Sequence, residues 1–305
     1  MDVFELSIWK GDWGLPTVDT ECLQVLVYAK FNDIPLKINA NANPFNTPNG
    51  RLPVLKCKND TFNAVQDIIA FFRQQHYNSE YDLSRKHCAT VMAYEAFLKE
   101  KLFPALQFIW WIDKENADKI IRPLYSKALP FPFNFYYPAQ YERKARTLIQ
   151  VMFPVEEDMT VIENKVYSEA QKCLTLLSTS LGDSKYFLDK GPTVLDAIVY
   201  SYLAPLLKAN LPNSALQNHL KACTNLVAFV SRISDKYFAS EGSEYQAKET
   251  AQNIKKYSHN EFPNKRRNQI FAGVFTALLM TTYALSSGIL EKWKLKRIPL
   301  RHTRR

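Results

Sequence analysis

Residues 268–290 run for 23 positions without an Asp, Glu, Lys, Arg or His. A helix packed on one side of a soluble domain carries a polar stripe at a period of about 3.6 residues, and six turns pass here without a charge. As a helix, residues 270–290 measure about 31 Å at roughly 1.5 Å per residue, which matches the hydrocarbon thickness of a bilayer. The stretch therefore reads as one membrane-spanning helix. Its strongly apolar positions are Ile270, Phe271, Val274, Phe275, Leu278, Leu279, Leu285, Ile289 and Leu290, together worth roughly −3 to −5 kcal/mol of insertion. Five Thr and Ser residues and two glycines keep it only moderately hydrophobic. The alternative, a core helix, suits the shorter apolar runs at 102–112 and 194–207, the second of which contains Asp196 and Pro205.

The charge of the chain is arranged around this span. Lys265, Arg266 and Arg267 precede it, Lys292, Lys294, Lys296, Arg297, Arg301, Arg304 and Arg305 follow it, and only Glu291 opposes them. Residues 265–305 thus carry +9, which is the net charge of the whole chain, and the remainder is neutral with 29 basic and 29 acidic side chains. Nucleic-acid binding needs a basic face on the folded domain, so no nucleic-acid partner is expected; the partner of the basic tail is the lipid bilayer. Only 15 residues follow Leu290, which predicts insertion after translation. The first residues have no basic, apolar signal pattern and position 2 is Asp, not the Gly of a myristoylation site. The expectation is a tail-anchored protein with its body in the cytosol. Moderate hydrophobicity with basic flanks at Lys265, Arg266, Arg267, Lys292, Lys294, Lys296 and Arg297 points to the mitochondrial outer membrane, with the endoplasmic reticulum second.

The body has no cofactor or metal signature. Its five cysteines are widely spaced without a Cys-x-x-Cys pair and its histidines have no ligand spacing, so reduced and mostly buried thiols are expected. Residues 1–80 alternate strand and helix: strands at 3–9, 36–39, 52–57 and near Phe62, helices at 18–31 and 64–76, the first with Val18, Cys22, Val25, Leu26 and Ala29 along one side. That order predicts a thioredoxin-like domain, in which Pro53, opening a strand after Gly50-Arg51-Leu52, is expected to follow a cis bond. Residues 84–239 read as helical, with helices from Ser84 through 103 or 112, and at 156–181, 193–210 and 213–238. In Thr193-Val194-Leu195-Asp196 the spacing makes a capping box, with Thr193 as N-cap and the Asp196 carboxylate reaching back to its amide. The polar stretch 240–264 reads as a tether, and 265–305 as the anchor. The fold class is α/β plus all-α, ending in a single transmembrane helix.

A thioredoxin-like half followed by a helical half with a Thr-x-x-Asp box resembles the glutathione S-transferase fold. Further strings narrow the resemblance to the metaxin family: Trp13-Gly14-Leu15-Pro16, Tyr77-Asn78-Ser79-Glu80-Tyr81-Asp82-Leu83-Ser84, Trp111-Ile112-Asp113, Pro130-Phe131-Pro132-Phe133-Asn134-Phe135 and Arg266-Arg267-Asn268-Gln269-Ile270. The resemblance implies a mitochondrial outer-membrane subunit of protein import and β-barrel sorting and assembly, working as a scaffold with a metaxin-2-like subunit. The ganglioside-induced differentiation-associated family, which joins a transferase-like body to a tail anchor, offers the alternative of a tethered enzyme or a mitochondrial-dynamics protein.

The transferase likeness also says where catalytic residues would stand. A hydroxyl or thiol near the end of the first strand would hold the glutathione thiolate; this chain has Ile8-Trp9-Lys10-Gly11-Asp12-Trp13 there, with Thr17 and Cys22 as the nearest candidates. An acid or Gln followed by Ser would grip the γ-glutamyl end, and Val65-Gln66-Asp67 lacks the Ser. No enzyme is expected. The alternating Pro and Phe of 130–138 cannot form a regular helix, and Phe131, Phe133 and Phe135 are candidates for a partner interface.

Overall fold

The computed structural model describes residues 4–77, 84–155, 158–188, 191–258, 273–280 and 282–283. Strands β1 (Phe4–Ser7), β2 (Leu36–Asn39), β3 (Val54–Cys57) and β4 (Asp60–Phe62) form one sheet in the order β2-β1-β3-β4, with β1 parallel to β2 and antiparallel to β3, and β3 antiparallel to β4. Because side chains alternate along a strand, Phe4 and Leu6 share a face. There Phe4 meets Phe71 and Phe72 edge-on at 5.9 and 6.0 Å, which seats helix α2 (Val65–Gln74) on the sheet.

Helix α1 (Thr20–Phe31) begins where the Asp19 carboxylate accepts from Cys22 N at 2.9 Å. The one-sided apolar stripe expected of it is not what forms: every residue except Glu21 and Lys30 is buried. The reason is its position, with α9 (Val194–Lys208) packed along it and α2 beside it.

The helical half opens with α3 (Arg85–Phe97), capped by Ser84 Oγ accepting from His87 N at 3.4 Å. It continues through α4 (Phe103–Gln107) to Ile112, with π-helical turns at Leu98–Leu102 and Phe108–Ile112. After α5 (Lys114–Asn116) a third π turn, Ala117–Ile121, leads into α6 (Arg122–Ala128). Two of these turns end two residues before a proline, Pro104 and Pro123. A proline cannot donate to the carbonyl four residues back, and widening is one way a helix absorbs that loss.

Next come α7 (Phe133–Met152), α8 (Met159–Leu181), α9, α10 (Ala215–Ala222), α11 (Thr224–Tyr237) and α12 (Ala239–Ser258). The single helix expected over 213–238 is two, broken at Cys223. Asn225 is the cause: its amide donates to Ser178 O and Gly182 O at 2.8 and 3.0 Å, pinning the start of α11 to the end of α8. Residues 133–138, expected to be irregular, already form the first turns of α7, with Pro138 inside the helix.

The chain divides into two units, residues 1–247 and 248–305. The stretch from 240 that reads as a tether is helical through Ser258. Gly14, at φ +72°, faces its early part closely enough that a Cβ there would lie 3.5 Å from Gly242 Cα, and Tyr245 packs against the core. In the second unit residues 273–280 and 282–283 are helical, and Val274, Phe275, Leu278 and Leu279 are exposed. Ile270, Phe271, Leu285, Ile289 and Leu290, like Lys265, Arg266, Arg267, Lys292, Lys294, Lys296 and Arg297, lie outside the described residues. Among the described residues no helix is long and apolar enough to cross a membrane.

Candidate functional site

The end of β1, the start of α1 and the helices α6 and α7 converge on one seam between the two halves. Trp9, buried just past β1, fills its middle, with its ring 4.9 Å from Tyr125, 6.3 Å from Tyr137 and 6.1 Å from Tyr141. Trp111 stacks on Tyr141 at 5.4 Å. Such offset and edge-on ring pairs add to the stabilisation from burying apolar surface. Burial pushes the Tyr125 and Tyr141 hydroxyls far above their usual acidity range, and the Asp19 charge adds to the shift. Asp19 is itself raised to about 6, first by burial and then by Glu21.

The two residues the sequence offers as nearest candidates for a catalytic hydroxyl or thiol, Thr17 and Cys22, are both inaccessible. Thr17 and Cys22 are 0% exposed. The Thr17 hydroxyl accepts from Asp19 N at 3.5 Å, and burial followed by the nearby Asp19 charge pushes the Cys22 thiol well up. The thiolate is the reactive form of cysteine, so this environment holds Cys22 inert. At the other end of the seam Leu52–Pro53 is a cis bond, and Gln66 is taken up by the helical half, donating to Glu95 Oε1 at 2.7 Å. Beside this region Ser7, Asn39, Asn43, Thr47 and Lys56 help line a polar cavity of about 240 Å³, in which Lys56 is the only ionisable lining group among the described residues.

At Thr193 and Asp196 the geometry is that of a capping box. Asp196 Oδ2 accepts from Thr193 N and Thr193 Oγ1, both at 2.8 Å, and Oδ1 accepts from Phe187 N at 2.9 Å. The spacing in the sequence points to the first of these; the bond from Phe187, which ties the preceding loop to α9, has no local signal.

The three phenylalanines of the aromatic segment separate. Phe131 and Phe135 are 80% and 69% exposed, and their rings meet edge-on at 6.3 Å. Phe133 is half-buried and stacks on Phe45 at 4.5 Å, within the chain itself. Phe45, which no motif singles out, is 62% exposed on the 3₁₀ turn Pro44–Asn46. A second cis bond, Phe131–Pro132, also escapes the sequence.

A four-stranded β2-β1-β3-β4 sheet joined to a helical half through a cis-proline seam defines a glutathione-transferase-like protein, here with the seam packed by aromatic rings. Solved structures with this fold include a β-etherase of Sphingobium (TM-score 0.54, 13% identity, covering 79% of this chain and 98% of that one) and a glutathione S-transferase of Ceriporiopsis subvermispora crystallised with glutathione (0.52, 13%, 77% and 97%). The chain belongs to the metaxin family. It is 40% identical to metaxin-1 of Bos taurus over 290 residues, covering 94% of this chain and 91% of that protein. It is 41% identical to metaxin-3 of Xenopus laevis over 241 residues, covering 78% of each. Family models match as well: an outer mitochondrial membrane transport complex protein at residues 22–142 and a glutathione S-transferase C-terminal domain at 170–233.

Proposed function

We propose that the chain is a non-catalytic subunit of an outer mitochondrial membrane transport complex, in which it serves protein import and β-barrel sorting as a scaffold beside a metaxin-2-like subunit. The observation that carries this reading is the likeness to metaxin-1 across 94% of the chain, and the outer-membrane transport description of the model matching 22–142 supports it. The body faces the cytosol, held by a C-terminal span over 270–290, and residues 1–80 and 84–239 act as its thioredoxin-like and helical domains. Thr17 and Cys22, sealed from solvent, support the non-catalytic part.

Native purification of the tagged full chain from mitochondria tests the reading. A metaxin-2-like subunit and the β-barrel insertase are expected to co-purify, and the absence of both overturns it. A parallel assay addresses catalysis. Retention on glutathione agarose together with conjugation of a chlorinated aromatic, abolished by Thr17→Ala or Cys22→Ala, would make the chain an enzyme.

A further inference from the structure

The connection from β2 to β3 is a loop whose one helical element is the 3₁₀ turn Pro44–Asn46. In the sheet Ser7 pairs with Asn39 and Val54, and Glu5 pairs with Lys37 and Lys56. Side chains alternate along a strand, so these residues share the face opposite the one that Phe4 gives to α2. Loop and strands together enclose the cavity of about 240 Å³ lined in part by Ser7, Asn39, Asn43, Thr47 and Lys56.

The chemistry of that lining depends on which of its groups the fold already uses. Asn39 Oδ1 accepts from Asn41 N at 3.2 Å, and Asn43 Oδ1 accepts from Phe45 N at 3.0 Å. A backbone amide can only donate, so each bond engages the side-chain oxygen and leaves the NH₂ end of Asn39 and of Asn43 without a partner among the described residues. Thr47 Oγ1 is taken up by the loop, donating to Pro44 O at 2.6 Å and accepting from Arg51 N at 3.1 Å. Ser7 is 8% exposed, and its hydroxyl has no hydrogen-bond partner among the described residues. Lys56, exposed at the rim, forms no ion pair among them.

The unengaged groups are therefore two amide NH₂ groups, a hydroxyl and an ammonium. Three of these can only donate and the hydroxyl can donate as well. The amides of Asn41 and Asn46, also in the lining, can present either end and favour neither sign. Charge points the same way. Glu5 stands between Lys37 and Lys56 in register, two lysines against one carboxylate, and none of the three is ion-paired among the described residues.

We propose that this cavity binds a small oxyanion of the phosphate or carboxylate class, with Lys56 supplying the charge, Ser7 donating from the buried wall and the Asn39 and Asn43 amides donating from the loop side. Donors aimed at an ionised acceptor make the stronger kind of hydrogen bond, and the site gives the Ser7 hydroxyl the partner that the protein does not. A volume below the roughly 300 Å³ at which drug-sized sites begin selects a small molecule over a peptide segment. An oxyanion site here stands whether or not the chain works as a transport subunit.

Equilibrium dialysis of the full chain in detergent against radiolabelled inorganic phosphate, with chloride holding the ionic strength at about 0.15 M, tests the site. Saturable uptake is expected, displaced by succinate. Asn39→Asp/Asn43→Asp keeps both oxygens that hold the loop and turns the free donors into carboxylate oxygens; Lys56→Gln removes only an exposed charge. Each should weaken phosphate about tenfold or more, the scale of a lost bond to a charged group, with circular dichroism unchanged, and Lys56→Arg should retain it. Uptake unaffected by both variants would put the phosphate on the basic residues 265–305 and overturn the proposal. Because Ser7 is also a hydroxyl at the end of β1, glutathione enters as a competitor: displacement by glutathione tighter than by succinate would make this a transferase-type site and overturn it too. Two phosphate monoesters identify the source. Tighter displacement by soluble short-chain phosphatidic acid than by glycerol 3-phosphate assigns the oxyanion to a lipid headgroup, the reverse order assigns it to a free metabolite, and either order supports the site.

Discussion

Ser126 Oγ donates to the carbonyl of Asn134 at 2.9 Å, and Asn134 is the residue whose carbonyl Pro138, four positions on, cannot satisfy. A proline inside a helix removes one backbone bond and leaves an acceptor open. Here a serine from the end of α6 fills the vacancy, which lets α7 start at Phe133 in spite of its proline. Ser126→Ala is expected to cost about 1 kcal/mol, the usual cost of losing such a bond. Pro138→Ala, by restoring the amide, should make the same serine substitution nearly silent. Urea unfolding of the detergent-solubilised chain with both single variants and the double variant measures the coupling; strictly additive effects would break the link between Ser126 and Pro138.

Asp196 is the acceptor for three donors, Thr193 N, Thr193 Oγ1 and Phe187 N, at a position that is 0% exposed. Removing it strands two backbone amides in the interior. Asp196→Ala is expected to lower stability by about 3 kcal/mol, more than a surface cap and nearer the loss of a buried charge's whole set of partners. Asp196→Asn should not rescue it, because one carboxylate oxygen becomes an amide that faces donors. A loss below about 1 kcal/mol in the same unfolding assay would reduce the box to an ordinary helix cap.

What was legible in the sequence follows from how far each interaction reaches. The β2 strand, the capping box and the cis bond before Pro53 depend on neighbours within a few residues or on the order of elements, and they are readable at Leu36–Asn39, Thr193–Asp196 and Leu52–Pro53. The helix through 133–138 was not, because the group that completes it, Ser126, lies outside the proline-rich string. The break at Cys223 depends on Asn225 reaching residues more than forty positions earlier. Likewise α1 has too many buried faces for a one-sided stripe, since α9 covers the side that local periodicity leaves for solvent. At the seam, the ring cluster around Trp9 needed α6 and α7 in place, and no local pattern in Ile8-Trp9-Lys10 signals it.

Asp19 makes stability depend on pH with a definite sign. Its folded pKa is about 6 against an ordinary value of 3.8, raised by burial and then by Glu21. Between those values the folded chain holds a proton that the unfolded chain has released. Stability therefore falls as pH rises from about 4 to about 6, and the cost is complete above that window. Asn is an equally good helix N-cap and has no charge to bury. Asp19→Asn is expected to match the native chain near pH 4 and to exceed it at pH 7.5 by about 3 kcal/mol. Asp196, also raised to about 6 by burial, supplies a slope of the same sign that remains in the variant. Parallel urea midpoints for the two proteins across pH 4–8 would show that Asp19 is not buried in the way the seam requires.

The proposed span has little insertion energy in reserve, because its nine strongly apolar residues contribute only roughly −3 to −5 kcal/mol. One arginine near the middle costs about 2.5 to 3.5 kcal/mol on the same scale, enough to cancel most of that gain. Leu279→Arg is accordingly expected to move the protein from the membrane pellet to the soluble fraction with residues 4–247 still folded, since every element of the sheet and helices α1 to α11 belongs to that unit. Charge on the flank acts differently. Replacing Lys292, Lys294, Lys296 and Arg297 by Gln removes electrostatic attraction and sorting information without touching the apolar stretch. That protein should stay in the pellet but divide between mitochondria and the endoplasmic reticulum. Carbonate extraction followed by organelle fractionation separates the two effects: release of the flank variant, or retention of Leu279→Arg, would place the membrane attachment somewhere other than residues 270–290.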